Sequence, residues 1–242
     1  RILKMNLLRD PIPGLIKKIA LPASIGTLFQ TLFNIVDTFF AGTISPEALS
    51  ALAKSFPIYF IIIAACVGVT VGGTSLIANS IGENNKSKIH GYFAHTIIYA
   101  IIVSIFITAV GLFFAPYLFE LMGSETEVVQ LGLSYTNVIF AGSFVFIMLV
   151  ALNSLLHADG DTKTYRNVLI LSFLLNILLN PLFIFGFGPI PAFGISGIGI
   201  ATIIAQSVGL IIIFFKVSKS IRIKDISLKD FNINFNTLTS LF

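Results

Sequence analysis

Charged residues are scarce in this sequence of 242 residues, of which 11% are Asp, Glu, Lys or Arg and 56% are hydrophobic. Soluble globular domains carry about 25% charged residues, and a chain of this length cannot bury so much apolar surface in one core. The composition therefore argues against a soluble enzyme, a disordered tail and a nucleic-acid-binding domain. The mean hydropathy of +0.96 indicates a membrane protein.

Residues that carry catalysis or bind metals are also few. Cysteine occurs once, at Cys66, so no disulfide can form within the chain. The sequence contains no HExxH, P-loop, GxSxG or CxxC motif, and its 3 histidines (His90, His95 and His157) share no metal-ligand spacing. We therefore predict that the protein is not an enzyme and holds neither a metal site nor a cofactor.

Long apolar stretches fill most of the chain. About 20 apolar residues cross a bilayer as a helix, and helices are required because open strand edges stay unsatisfied in lipid. Residues 186–194 are rich in Gly and Pro and divide the longest uncharged stretch, 167–215, into two spans. The sequence predicts an all-α, polytopic membrane protein with six transmembrane helices. We place these at about 15–40, 53–82, 91–116, 128–157, 165–186 and 194–217.

Lysine and arginine set the orientation of these spans, because cytoplasmic loops of membrane proteins are enriched in both. Of the 15 basic residues, all but Lys54 fall on one side, which we predict to be cytoplasmic, as are both ends of this chain. The predicted location is the inner, cytoplasmic membrane of the cell. Residues 1–14 form a cytoplasmic arm. Residues 219–242 are either a linker towards a further span or a frayed cytoplasmic tail.

Asp37 is the one charged residue well inside a predicted span, and such residues are costly in lipid and commonly functional. Gln30 and Asn34 precede it by seven and three residues, so the three share one helical face. Pro22 lies earlier in the same span and offers a hinge. The alternative is that Asp37 merely marks the end of a helix at the membrane surface.

Polar residues in other spans lie at a similar depth. At about 1.5 Å per residue, Tyr135, Asn180 and Thr202 fall in the outer half of the bilayer with Asp37, and Asn176 lies one turn before Asn180. These residues predict a shared pocket for a cation or a proton. The alternative is that they are scattered packing contacts that hold helices together.

Small residues recur at four-residue intervals in two spans, a spacing that lets membrane helices approach closely. They are Gly68 and Gly72 in the second span and Gly197, Ala201, Ala205 and Gly209 in the sixth.

Three motifs resemble those of the multidrug and toxic compound extrusion (MATE) family of transporters. The first is GDTKT at 160–164, followed by NILLNPLFIFG at 176–186; the others are 22–42 around Asp37 and GISGIGIAT at 194–202. The resemblance implies a twelve-helix antiporter built from two six-helix lobes. This chain would be the N-terminal lobe, and 219–242 the linker to the second lobe.

The resemblance also implies roles for residues already singled out. Asp37 would be the ion-coupled carboxylate and Pro22 the hinge of its helix. The implied ion-coupling pocket contains Tyr135, Asn176, Asn180 and Thr202, and the implied substrate cavity contains Gln30, Asn34 and Asn153. The family usually has Asp where this chain has Asn180, so a two-carboxylate sodium site is not available. The coupling ion, proton or sodium, stays open.

The expected activity is export of drugs or other organic cations in exchange for protons or sodium. The expected partners are a cationic, amphipathic small molecule, the lipid bilayer and the second lobe, with no nucleic acid. Two alternatives remain. One is a flippase for lipid-linked saccharides, against which the lack of cationic residues in the interior of the spans argues. The other is a membrane scaffold that transports nothing.

Overall fold

Helices make up nearly all of the described chain. The computed structural model describes residues 11–123, 125–232, 237 and 239. Within these residues, seven α-helices are followed by two short 3-10 helices, at Ile221–Ile223 and Leu228–Phe231. The α-helices are α1 (Ile12–Ile44), α2 (Pro46–Gly82), α3 (Lys86–Leu121), α4 (Thr126–Ala141), α5 (Ser143–Ala158), α6 (Thr162–Phe185) and α7 (Ile195–Ser218).

Six membrane crossings account for these seven helices. Helices α1, α2, α3, α6 and α7 are each long and apolar enough to span a bilayer, and α4 and α5 form a sixth crossing if the bent pair is taken as one span. The predicted all-α, six-helix fold is confirmed. The helices extend beyond several predicted boundaries: α1 begins at Ile12, within the predicted arm, and α2 begins at Pro46. Residues 1–10 of that arm lie outside the described residues.

The fourth predicted span is not one straight helix, because its halves are bent by 41° at Gly142. Ile203 of α7 packs where a side chain at this position would lie. Thr108 of α3 compensates the break, since its hydroxyl donates to the backbone oxygen of Phe140 at 3.0 Å. It also lies 2.7 Å from the hydroxyl of Ser143. The bend is therefore possible because Gly142 has no side chain and because the Thr108 hydroxyl on α3 bonds to the backbone there.

Polar side chains cap the N-terminal ends of several helices. Ser45 accepts a hydrogen bond from the backbone of Ala48 at the start of α2. Asp161 accepts one from the backbone of Thr164 at 3.0 Å and so caps α6. In the GDTKT motif, Gly160 has a φ of 79° and Asp161 is the cap. The motif thus builds a tight turn between α5 and α6.

Close packing brings α1, α6 and α7 together. Helix α6 packs against α1 and α7, and α5 lies among α2, α3 and α7. A Cβ atom at Gly197 would lie 2.5 Å from the backbone oxygen of Phe183, and one at Gly209 would lie 2.7 Å from Val168. Gly68, by contrast, has no such neighbour within 4 Å. Gly197 and Gly209 of α7 therefore lie in tight contacts of a kind that Gly68 of α2 does not make.

The segment after α7 folds back onto the bundle. Ile223 is buried, and Arg222 forms an ion pair with Asp159 at 2.9 Å. The ring of His90 on α3 lies 3.0 Å from the backbone oxygen of Arg222. Residues 219–232 are thus packed against α3 and the α5–α6 turn. Of the predicted linker, residues 233–236, 238 and 240–242 lie outside the described residues.

Candidate ion-coupling site

Asp37 is buried where α1 meets α6 and α7, with 4% of its surface exposed. Its Oδ1 atom accepts hydrogen bonds from the side-chain nitrogens of Asn176, at 3.0 Å, and Asn180, at 2.9 Å. Its Oδ2 atom accepts one from the hydroxyl of Thr202 at 3.1 Å. Three donors from two other helices therefore hold one carboxylate.

The two amides also bind each other. Asn180 donates to the side-chain oxygen of Asn176 at 3.1 Å, as the four-residue spacing on α6 permits. The remaining oxygen of Asn180 is buried and has no hydrogen-bond partner among the described residues. Ser172 lies one turn before Asn176. It donates to the backbone oxygen of Ala205 at 3.1 Å and so joins α6 to α7. Asp37 thus lies in a network with one unused acceptor.

A cavity opens beside this network and contains several of the predicted residues. Gln30, Asn34, Tyr135 and Thr202 line it together with Asp37. Tyr135 is buried, and no hydrogen bond joins it to Asp37 in the described part of the chain. The structure therefore brings Tyr135 to the cavity of Asp37 but not into its hydrogen-bond network.

The cavity is also lined by polar residues that the sequence analysis did not select as site residues. They are Ser55 and Tyr59 on α2 and Gln206 on α7. The spacing of Ser55 and Tyr59, four residues apart in an apolar helix, is the signal that could have identified them.

An open groove adjoins the cavity on the side of α1 and α2. Asn34 and Phe56 line both the groove and the cavity. The groove also contains three threonines and three large apolar residues: Thr31, Thr38, Thr43, Ile35, Phe39 and Leu49. Among the described lining residues of both spaces, Asp37 is the only charged one. The arrangement therefore joins a buried carboxylate to a neutral surface with aromatic side chains.

Asn153 is not among the residues that line this cavity, although Phe146 of the same helix is. Asn153 is 1% exposed inside α5, and its side-chain nitrogen lies 3.1 Å from the Nε2 atom of His157. Its place in the substrate cavity stays a prediction.

Pro22 lies within α1, which is continuous through it. One turn later, a Cβ atom at Gly26 would lie 3.1 Å from Leu169 of α6, so α1 and α6 are in close contact there. The hinge role of Pro22 stays a prediction.

Metal ligands are sparse in the described residues, which contain no group of three His, Cys, Asp or Glu side chains able to hold a metal ion. At the site itself, the three contacts to Asp37 come from two N–H groups and one hydroxyl. Such donors suit a charged carboxylate, whereas a bound cation needs oxygen ligands turned towards it.

A comparison with known families matches this chain with the sequence profile of MatE over residues 22–182. The matched region contains Pro22, Asp37, Asn176 and Asn180. The chain belongs to the MatE family. The resemblance inferred from the sequence motifs is therefore confirmed.

Curated relatives of this MatE-family chain are named as transporters. It is 30% identical over 205 residues to an FAD transporter of Shewanella oneidensis, covering 85% of this chain and 45% of the relative. It is 29% identical over 221 residues to a probable multidrug resistance protein NorM of Thermotoga maritima, covering 90% and 48%. The chain thus spans about half the length of the curated relatives that it matches.

Solved structures agree with this assignment. A MATE protein crystallised in a bent conformation matches with a TM-score of 0.87 and 32% identity, over 97% of this chain and 52% of that protein. An outward-facing multidrug resistance transporter of the family matches with a TM-score of 0.86 and 32% identity, over 97% and 51%. The MatE-family chain described here therefore has the fold of one half of such transporters.

Proposed function

We propose that this chain is the ion-coupling lobe of a secondary antiporter that exports organic cations or drugs in exchange for protons. The observation that carries the proposal is the buried carboxylate of Asp37, held by three hydrogen-bond donors and opening onto a cavity. An ionisable group at membrane depth is expensive and is kept for ion or substrate handling.

A proton fits this site better than sodium does. The partners of Asp37 donate to it, and Asn180 supplies an amide where a second carboxylate would give a cation another charged ligand. A proton requires one carboxylate and no ligand cage. Sodium remains the alternative, with the free oxygen of Asn180 as its additional ligand.

Protonation would act on the contacts that join α1 to its neighbours. Hydrogen bonds to a charged carboxylate are roughly twice as strong as neutral ones. Neutralising Asp37 therefore weakens its bonds from Asn176, Asn180 and Thr202, which tie α1 to α6 and α7. Helix α1 is then freer to bend at Pro22. In support, proteins described as MATE in a bent and in a straight conformation both match this chain, with TM-scores of 0.87 and 0.85.

The groove favours a cationic or neutral amphipathic substrate. Phe39 and Phe56 offer aromatic faces, which attract organic cations. No Lys or Arg is among the described residues that line the groove or the cavity. A phosphate-bearing substrate such as FAD, or a lipid-linked saccharide, would need cationic partners, which this lobe does not supply there.

The transporter as a whole would lie in the inner membrane and contain a second six-helix lobe, to which residues 219–242 lead. Both ends of this chain would face the cytoplasm, as the distribution of basic residues predicts. Alternating exposure of the cavity between the two lobes would then move the substrate.

The test uses the full-length transporter in everted membrane vesicles, with efflux of ethidium driven by an imposed pH gradient or an imposed sodium gradient. Asp37→Asn should abolish efflux driven by the pH gradient. The matched control is Asp225→Asn, which neutralises an exposed carboxylate after α7 and should retain the wild-type rate. Undiminished efflux in Asp37→Asn would overturn the role of Asp37, whereas absence of efflux from the unsubstituted protein as well would favour the scaffold alternative. Efflux that the sodium gradient drives and the pH gradient does not would show that the coupling ion is sodium instead of the proton.

A further inference from the structure

A second polar pair, the buried Asn153 and the half-buried His157, lies in α5, apart from the site of Asp37. The side-chain nitrogen of Asn153 lies 3.1 Å from the Nε2 atom of His157, one turn further along the helix. Asn153 is 1% exposed, and its side-chain oxygen has no hydrogen-bond partner among the described residues. A buried polar atom without a partner carries a cost that calls for an explanation.

The chemistry of this pair depends on where the histidine carries its protons. The amide nitrogen of Asn153 can only donate, so the Nε2 atom of His157 accepts and the neutral ring carries its proton on Nδ1. If the ring takes up a second proton, Nε2 becomes a donor. The amide of Asn153 then rotates and presents its oxygen to Nε2. This oxygen is the atom that has no partner among the described residues. The pair can therefore hold a proton without leaving Nε2 unsatisfied.

The pair lies between the cavity and the end of α5 predicted to be cytoplasmic. Phe146 of α5 lines the cavity of Asp37. Asn153 and His157 lie about two and three turns further along the same helix. The ring of Tyr165 on α6 packs edge-on against that of His157, with ring centroids 5.7 Å apart. Helix α5 thus leads from the cavity to the histidine.

Unpartnered oxygens also occur on the facing helix. The hydroxyl oxygen of Thr74 on α2 is buried and has no partner among the described residues. Its neighbour Gly73 packs against Ser154, which is the neighbour of Asn153; a Cβ atom at Gly73 would lie 3.2 Å from the Ser154 hydroxyl. Buried oxygens without a protein partner are groups that ordered water commonly bonds, and water carries protons.

Charged groups lie at the same end of the bundle as His157. Asp161, in the turn before α6, follows His157 by four residues. On the helices packed against α5, α7 has no titratable residue before Lys216, which is exposed, and α2 has Tyr59 and Cys66 between Lys54 and Glu83. Other titratable or charged groups at this end include Lys86, Lys88, His90, Tyr92, His95 and Tyr99 on α3, Lys163, Tyr165 and Arg166 on α6, and Asp159 with its ion-pair partner Arg222.

We propose that the His157–Asn153 pair is the station from which the transported proton leaves for the cytoplasm. In this step the protonated Asp37 carboxyl becomes a carboxylate and neutral His157 becomes an imidazolium. The imidazolium then releases the proton past Asp161 to water and returns to the Nδ1–H form. The proposal rests on proton coupling through Asp37, and it assigns His157 as a second proton-binding group.

The first test varies the pH at the cytoplasmic face of everted vesicles containing the full-length transporter. His157→Gln should slow efflux driven by the pH gradient by roughly tenfold or more, in line with the loss of a proton-transfer group. It should also remove the inflection in the rate that His157 protonation causes, and leave equilibrium binding of ethidium unchanged. The matched control is His95→Gln. His95 is buried, and its Nδ1 atom bonds to the backbone oxygen of Gly91 in its own helix.

Asp37→Asn in the same experiment separates the two proposals. If Asp37→Asn abolishes coupling while His157→Gln keeps the wild-type rate and pH profile, the exit station is wrong and the coupling function stands. If Asp37→Asn has no effect, the coupling function fails, and the exit station fails with it.

A second measurement on the unsubstituted transporter applies even if His157→Gln does not fold. Nitrogen NMR of ¹⁵N-histidine-labelled protein, with the His157 signal assigned through its contact with Tyr165, reports the protonation of both ring nitrogens. The expected result is the Nδ1–H form at high pH and a doubly protonated ring at low pH. A ring that stays singly protonated down to about pH 5, well below the usual histidine range, would overturn the proposal.

Discussion

Asn180 donates a hydrogen bond to the Oδ1 atom of Asp37 across 2.9 Å, and its own oxygen remains without a partner in the described chain. An amide therefore lies beside the buried carboxylate, at the position where the motif resemblance leads us to expect a second acid. This single difference gives the site one negative charge and two amide groups.

Asn180→Asp should introduce a response to sodium. The variant places two carboxylates within hydrogen-bond range, and hard cations favour paired carboxylate oxygens. We expect sodium to raise the thermal unfolding midpoint of the variant in detergent, and not that of the wild type. The measurement is the midpoint of the full-length transporter in sodium chloride against the same concentration of choline chloride.

Asn79→Asp is the control for this prediction, because Asn79 is exposed near the end of α2, where a new carboxylate has no buried partner. An equal sodium response in wild type and Asn180→Asp would show that the amide is not what excludes sodium.

Thr108→Val should destabilise the protein by about 1–3 kcal/mol, the usual cost of leaving a buried acceptor unsatisfied. The substitution keeps the shape of the side chain but removes the hydroxyl that donates to Phe140 at the bend between α4 and α5. The unfolding midpoint measures the loss. Thr27→Val is the comparison, since the exposed hydroxyl of Thr27 bonds only within its own helix. A loss no larger than that of Thr27→Val would contradict the role given to Thr108.

Sequence spacing could predict the group around Asp37 because two simple rules apply there. Residues four apart share a helix face, which places Asn176 with Asn180, and the rise per residue gives the depth at which Thr202 meets them. Their roles in transport stay predictions. The network itself is geometry that the structure shows.

The same rules do not give the surroundings of Asn153, whose place in the substrate cavity was implied by the motif resemblance. Spacing places a residue on a face of its own helix but does not say which neighbour that face meets. In the structure, the side chain of Asn153 bonds to His157 of the same helix. The bend at Gly142 was missed for a related reason, since an isolated Gly in a long apolar stretch is also compatible with a straight helix.

The segment after α7 shows a third limit. Its alternating charges and apolar residues suit a linker or a frayed tail. One of the contacts that hold it, between Arg222 and Asp159, joins residues 63 apart in the chain. No local pattern predicts a contact over that separation.

Gly197→Ala should destabilise the protein more than Gly68→Ala, although the two glycines belong to similar four-residue patterns. A Cβ atom at Gly197 would lie 2.5 Å from the backbone oxygen of Phe183, which cannot move without shifting α6. We expect a loss of about 1–3 kcal/mol, as for other overpacked positions. Gly68 has nothing within 4 Å in the corresponding direction, so Gly68→Ala should cost little. The two unfolding midpoints test this, and equal losses would contradict the packing argument.

Arg222→Gln should loosen the segment 219–226 without destabilising the bundle. The ion pair with Asp159 is about one-third exposed on each side, so it contributes at most about 1 kcal/mol. The expected result is faster amide hydrogen exchange at 219–226 and unchanged exchange in α6 and α7. Asp159→Asn should have the same effect, and the double variant should add nothing, because both substitutions remove one contact.

Lys224→Gln is the control for charge, since Lys224 is exposed in the same segment. Because salt screens exposed charges, molar sodium chloride should raise exchange in the wild type towards that of Arg222→Gln. His90 also holds this segment through the backbone oxygen of Arg222, and that bond survives the substitution of the Arg222 side chain. The segment should therefore remain docked on α3 in Arg222→Gln and exchange more slowly than in the combined variant with His90→Ala. Full exchange in Arg222→Gln alone would show that the ion pair, and not the contact with His90, anchors the segment.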